Sequence, residues 1–466
     1  MKKTTFIIAV AFALLLVGCK SLKQSLFAPY ERPDVNTTGL IRDVVSNTDT
    51  LVSSADANFG NLPWREVFTD PQLQVLIQQT LDNNVDMLNA ALNIEMAEAQ
   101  LKAARLAFLP QFTFSPSGTL TTLDFGQVMK TYQLPVAISW NADLFGNLLS
   151  QKRAAQTALL ATHDYQVVVQ TNLIKGVANM YYTLLMLDRQ LEILNDMESL
   201  TKDTWDMMKL QMELGRARST SVQSAEANYY SVQTKAVEMK RQIREVENSL
   251  SLLMGQSAQA ISRGKLKDQK FPSQFATGVG IQLLANRADV HYAEMNLAKC
   301  FYGIETARSR FYPSLTISPT AAFTNSGGGM VSNPGKMLFT LVGNLTQPLF
   351  MKGQLTQGLR VAEAQYEQAY NSWQNAVLKA GVEVSDALVL FKASEDKIAL
   401  EEKQVETLEK NVEHTKMLFK SSGSSYLEVI TAQQSLLNAQ ISLVSDQFYK
   451  MQAVVNLYNA LGGGGK

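Results

Sequence analysis

The stretch ARLAFLPQFTFSP, from Ala104 to Pro116, returns as ARSRFYPSLTISP, from Ala307 to Pro319, with Ala, Arg, Phe, Pro, Thr, Ser and Pro at equivalent places. Further echoes follow each copy. Asp143-Leu144-Phe145-Gly146 is answered by Pro348-Leu349-Phe350, and Leu253-Met254-Gly255 by Ala460-Leu461-Gly462. The chain is therefore an internal tandem duplication of one long unit rather than the two or three unrelated domains that its 466 residues would suggest. Each unit reads helix, two strands, long helix, turn, helix.

Proline placement outlines the helices, because proline removes a hydrogen bond inside a helix and clashes with the preceding turn. None occurs from Val136 to Phe271, and none follows Pro348. In the first tract apolar residues step by three and four: Val177, Met180, Leu184, Leu187, Leu191 and Leu194, then Val222, Ala225, Tyr229, Val232, Ala236, Met239, Ile243, Val246, Leu250 and Leu253. That spacing puts them on one stripe of a helix. The second tract repeats the pattern through Val377, Ala380, Val384, Ala387 and Phe391, with Ser394 and Glu401 interrupting it, and resumes it from Leu427 to Tyr458. Continuous helices over Asn147–Leu214 and Gly353–Lys420 would each be about 100 Å long at the usual rise per residue.

The strands have a period of two. Tyr132, Leu134, Val136, Ile138 and Trp140 alternate with uncharged residues, as do Leu315, Ile317, Pro319, Ala321 and Phe323. Phe112 and Phe114, with Phe339, Leu341 and Leu345, mark the other two strands. Each expected strand is about ten residues or longer, the span a tilted strand needs to cross a bilayer. A membrane sheet must satisfy its edge hydrogen bonds by closing, and about four strands fall short of the usual minimum of about eight. Several chains are expected to share one barrel.

Forty-two basic and 42 acidic residues cancel, so no global field recruits nucleic acid. The two cysteines, Cys19 and Cys300, form no disulfide framework. Lys2 and Lys3 precede an apolar run from Phe6 to Val17, which is too short to span a bilayer as a helix and reads as an export signal. Leu16-Val17-Gly18-Cys19 resembles the lipobox of bacterial lipoproteins, implying signal removal and a covalent lipid on Cys19; Lys20 after it implies the outer membrane by the same resemblance. One lipidated terminus is a weak anchor, so it is expected to supplement the membrane strands.

In their order, Pro29-Tyr30-Glu31-Arg32-Pro33, Trp64, Phe68, Asp70, Leu73, Asn84, Asp86, Ala104-Arg105, Pro110, Ala288-Asp289-Val290, Asn456-Leu457-Tyr458 and Ala460-Leu461-Gly462-Gly463 are similar to the outer membrane efflux protein family. The resemblance is to the lipoprotein branch that serves tripartite pumps. It implies a mixed α and membrane β-barrel fold: a homotrimer whose twelve strands form a pore and whose helices form a long coiled-coil barrel. It also implies a periplasmic membrane-fusion adaptor, an inner-membrane pump of the RND type, passive conduction of drugs or other small toxic solutes, and no enzymatic activity. A protein-secretion duct or a lipid-anchored coiled-coil scaffold without a pore are the alternative readings.

The layout expected is a signal peptide over 1–18, a lipidated extended segment over 19–69, and a first repeat over 70–255 with strands near 111–123 and 131–143. A linker over 256–277, a second repeat over 278–462 with strands near 314–325 and 336–347, and a tail over 463–466 complete it. The hairpin tips fall at Leu214–Val222 and Lys420–Val429. By the resemblance, the second tip gates the duct, with Glu428 at an acidic position and Thr431 where relatives often carry aspartate. Arg216 and Arg218 on the first tip are candidate partners of Glu428 or of a neighbouring copy's carbonyl groups.

Other motifs lead to no chemistry. The glycine-rich SGGGMVSNPGK, Ser326 to Lys336, has Met330 where a phosphate-binding loop needs its first glycine. His163, His291 and His414 lie in no metal-ligand spacing. Met207, Met208 and Met212 are read as packing residues, and Cys300 as a packed thiol. No metal or other cofactor is expected beyond the lipid.

Overall fold

The computed structural model describes residues 28–34, 59–122, 126, 128–269, 287–324, 336–420 and 425–465. Cys19, Lys20 and the export signal lie outside the described residues, as does the glycine-rich loop up to Lys336. After a helical turn at Trp64–Val67 come α1 (Pro71–Asn83), α2 (Val85–Leu106), β1 (Gln111–Phe114), β2 (Ser117–Thr121), β3 (Met129–Ala142), α3 (Asn147–Glu213) and α4 (Ser219–Leu253). Then follow α5 (Ala288–Ser309), β4 (Ser314–Thr324), β5 (Lys336–Thr346), α6 (Gln354–Lys420) and α7 (Tyr426–Ala460). Element lengths recur in the two halves: α2 and α5 have 22 residues each, α3 and α6 have 67, and α4 and α7 have 35. Phe59–Asn61 is a further short turn, so the 19–69 segment is not extended throughout.

The chain divides into two compact units, the first from Met1–Val35, Leu92–His163 and Tyr292–Asn375, the second from Asn36–Ala91, Asp164–His291 and Ala376–Lys466. The first contains the sheet, antiparallel in the order β1, β3, β4, β5, with β2 also paired to β3. The single strand expected over 111–123 is instead two short ones, broken at Ser115 and Pro116. The physical reason is local. Pro135 of β3 accepts from the Ser115 amide at 3.4 Å, so its nitrogen, which carries no hydrogen, faces the break. Pro319 of β4 has the same effect: the β3–β4 ladder skips it, resuming between Trp140 and Ile317. Two prolines are tolerated in central strands because each sits at a gap in its ladder.

In the same unit, the segment after Ala28 is pinned onto α5. The Arg32 guanidinium forms a two-pronged ion pair with the buried Glu294, its Nε donating at 2.7 Å. The Tyr30 amide donates to the Tyr302 hydroxyl at 3.1 Å.

The second unit is a helical bundle. Its core joins Leu73 and Ile77 of α1, Val177, Tyr181, Leu184 and Leu185 of α3, Leu250 of α4, and Leu457 of α7. Full burial of each such side chain contributes about 1.5–3 kcal/mol. Helix ends are fixed by side chains. Asp70 caps α1 by accepting from the Gln72 amide at 2.9 Å. Asn84 accepts from the Asp86 amide and donates to the Leu253 carbonyl, both at 2.8 Å, so the start of α2 is tied to the end of α4. Gly255 is required just after α4: its φ is +69°, and a Cβ there would stand 2.8 Å from the Asn83 carbonyl oxygen.

Candidate functional site

The strand register puts one set of side chains on each face of the sheet. Phe112 is opposite Ile138, Leu134 opposite Phe323, Ala321 opposite Phe339 and Pro319 opposite Leu341, so most large apolar residues of the strands share a face, with Leu338 and Val342 of β5 on the other. The other face carries Thr113, Gln133, Asn141, Thr316, Thr320, Thr340 and Asn344. Within one chain the apolar face is bare. Leu120 is 73% exposed and Phe339 67% exposed. The outer edges, β1 with β2 on one side and β5 on the other, have no strand partner among the described residues. A soluble sheet hides such a face, whereas a lipid-facing strand presents it.

The hairpin tips lie in the second unit. Between α3 and α4, Gly215 takes φ +70° and the amides of Arg216 and Ala217 donate to the Gln211 carbonyl at 2.8 and 3.2 Å. Arg216 and Arg218 are exposed, and among the described residues neither side chain forms an ion pair. Residues 421–424 of the other tip lie outside the described residues. Glu428 is engaged locally. It is the third residue of α7, and its carboxylate accepts from the Ser425 amide at 3.2 Å while the Ser425 hydroxyl accepts from the Glu428 amide at 3.4 Å. This reciprocal cap leaves the carboxylate turned back on its own helix start, not toward Arg216 or Arg218 of the same chain.

Thr431 is exposed one turn later and donates to the Leu427 carbonyl at 2.8 Å. Glu428, Thr431, Gln434 and Asn438 are all exposed at helical spacing, so α7 presents a polar stripe free of basic residues. Beneath it, Met208, Val222, Ala225, Phe419 and Val429 form a small apolar cluster that binds the two tips together. Met208 is thus a core residue. Tyr426 packs on this cluster, and burial pushes its phenol up to about 12.

Three charged clusters of the second unit escaped the sequence reading because each is completed by a residue far away in the chain. Arg263, in the segment after α4, meets Asp188 of α3 at 2.5 and 2.9 Å and Glu247 of α4 at 2.6 Å. Arg287 meets Asp289 at 2.7 and 2.9 Å, Glu383 of α6 at 2.7 Å, and the Ala460 carbonyl at 3.0 Å. Lys397 of α6 meets the buried Asp446 of α7 at 2.5 Å, beside Glu401, which accepts from the Ser442 hydroxyl at 2.7 Å. Burial and the neighbouring Asp446 push the Glu401 carboxyl up, against the hydrogen bond from Ser442. For Asp70 burial also pushes up, but donors from Tyr181 at 2.5 Å, Gln269 at 2.8 Å and the Gln72 amide hold its carboxyl below the usual range.

His163 and His414 are exposed, while His291 contacts Asp164 at 2.6 Å. Among the described residues no group of three or more His, Cys, Asp or Glu is placed to hold a metal ion. Cys300 is half-buried, and burial pushes its thiol up. No helix of the described residues is long and apolar enough to cross a membrane.

Comparison with known proteins is consistent across the chain. The family model described as outer membrane efflux protein matches residues 76–256 and 280–463. The cation efflux system protein CusC of Escherichia coli is 26% identical over 459 residues, covering 97% of this chain and 98% of that protein. The probable outer membrane lipoprotein SilC of Salmonella typhimurium is 23% identical over 465 residues, covering 98% of each. The crystal structure of the CmeC outer membrane channel of Campylobacter jejuni superposes with a TM-score of 0.83 at 21% identity, covering 94% of this chain and 95% of that one.

Proposed function

Because the chain belongs to the outer membrane efflux protein family, we propose that three copies pool their strands into one twelve-strand barrel in the outer membrane and their long helices into a gated helical duct. The chain is an outer-membrane efflux channel of a tripartite system. One observation carries the shared barrel: a sheet with a bare apolar face and two open edges. Each chain contributes β3, β4, β5 and the broken strand β1 with β2. Exposed edges in lipid cost several kcal/mol for each unsatisfied group, and closure with neighbouring copies removes that cost. Apolar side chains then face lipid, and the hydroxyl and amide side chains line the lumen.

In this reading the chain has no catalytic role. Its repeats run over 70–255 and 278–462, joined by the linker 256–277. A lipid on Cys19 assists attachment, in keeping with the lipoprotein description of SilC. Glu428 and Thr431 of each copy line the periplasmic constriction, with Arg216 and Arg218 on the flanking tips. A periplasmic adaptor binds the open arrangement more tightly than the closed one and so shifts the population toward it; an inner-membrane pump of the RND type loads the duct. The solutes are drugs or other small toxic compounds, and the description of CusC adds cations as a class to test.

Deletion of the gene followed by susceptibility testing against antibiotics, dyes, detergents and metal ions tests this function. Increased susceptibility to at least one class, restored by the intact gene, is expected. Unchanged susceptibility throughout overturns the efflux assignment.

A further inference from the structure

Where α7 packs against α3 and α4, one helical turn beyond Val429 of the tip cluster, the second unit encloses a cavity of about 250 Å³. Its hydrogen bonds do not balance. Gln433, which lines it, is 1% exposed, and its amide nitrogen donates to the Thr204 hydroxyl at 2.9 Å. That hydroxyl gives its own hydrogen to the Leu200 carbonyl at 2.9 Å, so it can only accept, and this fixes which way round the Gln433 amide lies. The Gln433 Oε1 is left buried with no hydrogen-bond partner among the described residues. Thr201 also lines the cavity at 2% exposure. Its hydroxyl hydrogen goes to the Met197 carbonyl at 2.9 Å, so it too offers only lone pairs.

A buried acceptor without a donor is costly, so the cavity demands an occupant that donates. Charge narrows the choice. Among the described lining residues Lys235 alone is charged, so no carboxylate balances a cation, and two buried acceptors disfavour an anion. Met197, Val232 and Leu437, at 4%, 4% and 3% exposure, supply an apolar wall. The volume is below the range of about 300–1,000 Å³ that holds drug-sized ligands. Water can fill such a place, and a solute that displaces it must bring the same donor.

We propose that this cavity binds small neutral molecules that carry an O–H or N–H donor on an apolar body, monocyclic phenols and aromatic amines being the class. The donor meets Gln433 Oε1, and the ring lies against Met197, Val232 and Leu437. Gln434 and Asn438 also line the cavity and belong to the exposed polar stripe of α7, so the site adjoins that stripe. Gln434 is held there by its own bond, its amide nitrogen donating to the Asn228 Oδ1 at 3.2 Å. In the duct reading above, on which this role alone rests, a solute of this class pauses beside the constriction.

Fluorine NMR of the detergent-solubilised chain tests the site, with protein-free micelles as baseline. The probe is 4-fluorophenol, and fluorobenzene, smaller and without the donor, is its comparator. Broadening of the 4-fluorophenol line should saturate, reverse with excess phenol, and report an affinity at least about fivefold above that of fluorobenzene, the factor one hydrogen bond to a buried acceptor supplies. Gln433→Met keeps the volume and removes the acceptor, so it should bring the two probes within about twofold of each other. Ser231→Trp, at an exposed lining position, should abolish saturable broadening even where Gln433→Met disturbs the packing. Equal affinity for the two probes in the natural chain, no saturable broadening beyond the micelle baseline, or 4-fluorophenol binding that survives both variants overturns the site. None of these readouts involves conduction. A failed site therefore leaves the duct standing, and unchanged susceptibility of a deletion strain leaves the site standing.

Discussion

The hairpins α3–α4 and α6–α7 have equal helix lengths and different interiors. Under the shift that maps α3 onto α6, Gln190, Leu194 and Met239 of the first hairpin correspond to Lys397, Glu401 and Asp446 of the second. Leu194 is buried in the apolar core, and Met239 packs against it. Their counterparts form a charged layer, in which Lys397 meets Asp446 at 2.5 Å and Ser442 donates to Glu401 at 2.7 Å. Asp188 and its counterpart Glu395 tell the same story. Asp188 is held from outside the hairpin by Arg263, Glu395 from the facing helix by Lys450 at 3.2 Å. The duplication kept the backbone and changed what ties the two helices together. Apolar layers resist sliding through close packing, while a layer of partly exposed ion pairs re-forms with new partners at low cost.

The largest expected effect lies on the externally tied hairpin. Arg263→Met removes the only cation that meets both Asp188 and Glu247 among the described residues, and leaves Glu247 buried without its partner. Breaking a buried pair from one side costs about 3–5 kcal/mol, and partial exposure of Asp188 places this case near the lower end. Thermal unfolding of the detergent-solubilised assembly should show the loss. A change below about 1 kcal/mol would mean that the apolar layers alone hold α3 to α4.

A smaller effect of opposite sign is expected in the second hairpin. The triple variant Lys397→Gln, Glu401→Leu, Asp446→Met installs the layer of the first hairpin. Replacing buried ionic groups by apolar ones of similar size is often neutral or stabilising by about 1–4 kcal/mol; only Asp446 is fully buried here and Lys397 is more than half exposed, which places this case near the neutral end. The pH dependence separates this from generic hydrophobic gain. The folded pKa of Glu401 is raised, so its ionisation opposes folding. Stability of the natural chain should fall as pH rises from the ordinary carboxylate range, about 4.3, through the raised value, and the triple variant should lack that fall. Asp70 acts in the opposite sense. Its folded pKa is depressed, so stability is lost in both proteins as pH drops below about 3.9 through the lowered value. Unfolding midpoints measured across this range distinguish the two contributions.

Legibility from sequence followed the same division. The proline-free tracts and apolar steps located both long helices, and alternation located the strands, because these signals are local and periodic. The interruption at Glu401 was visible as a break in the stripe. Its neighbour Asp446 was not, since it lies between Val444 and Phe448 in a stripe that otherwise reads as apolar. Arg263 was missed for a different reason: its partners lie 75 and 16 residues away, and no spacing rule joins a connecting segment to two helix faces. The break at Ser115 depends on Pro135 across the ladder, so it is a tertiary feature.

The smallest energetic effect falls on Glu428, where the signal was legible and admits two functions. Ser425 and Glu428 have the spacing of a capping box, and the side chains form one. Glu428→Ala should therefore cost at most about 1 kcal/mol of α7 stability, as loss of a cap typically does. A gate residue has a second property, its charge at the constriction. Glu428→Gln keeps a side-chain carbonyl that can accept from the Ser425 amide while removing the charge. If the role of Glu428 is only to cap, Glu428→Gln should conduct as the natural chain does in planar bilayers. If three carboxylates also line the constriction, Glu428→Gln should lower cation preference, and Glu428→Ala with Arg218→Ala should raise single-channel conductance. Unchanged conductance and selectivity in all of these would confine Glu428 to the helix start and leave the polar stripe at Thr431, Gln434 and Asn438 as the lining of the constriction.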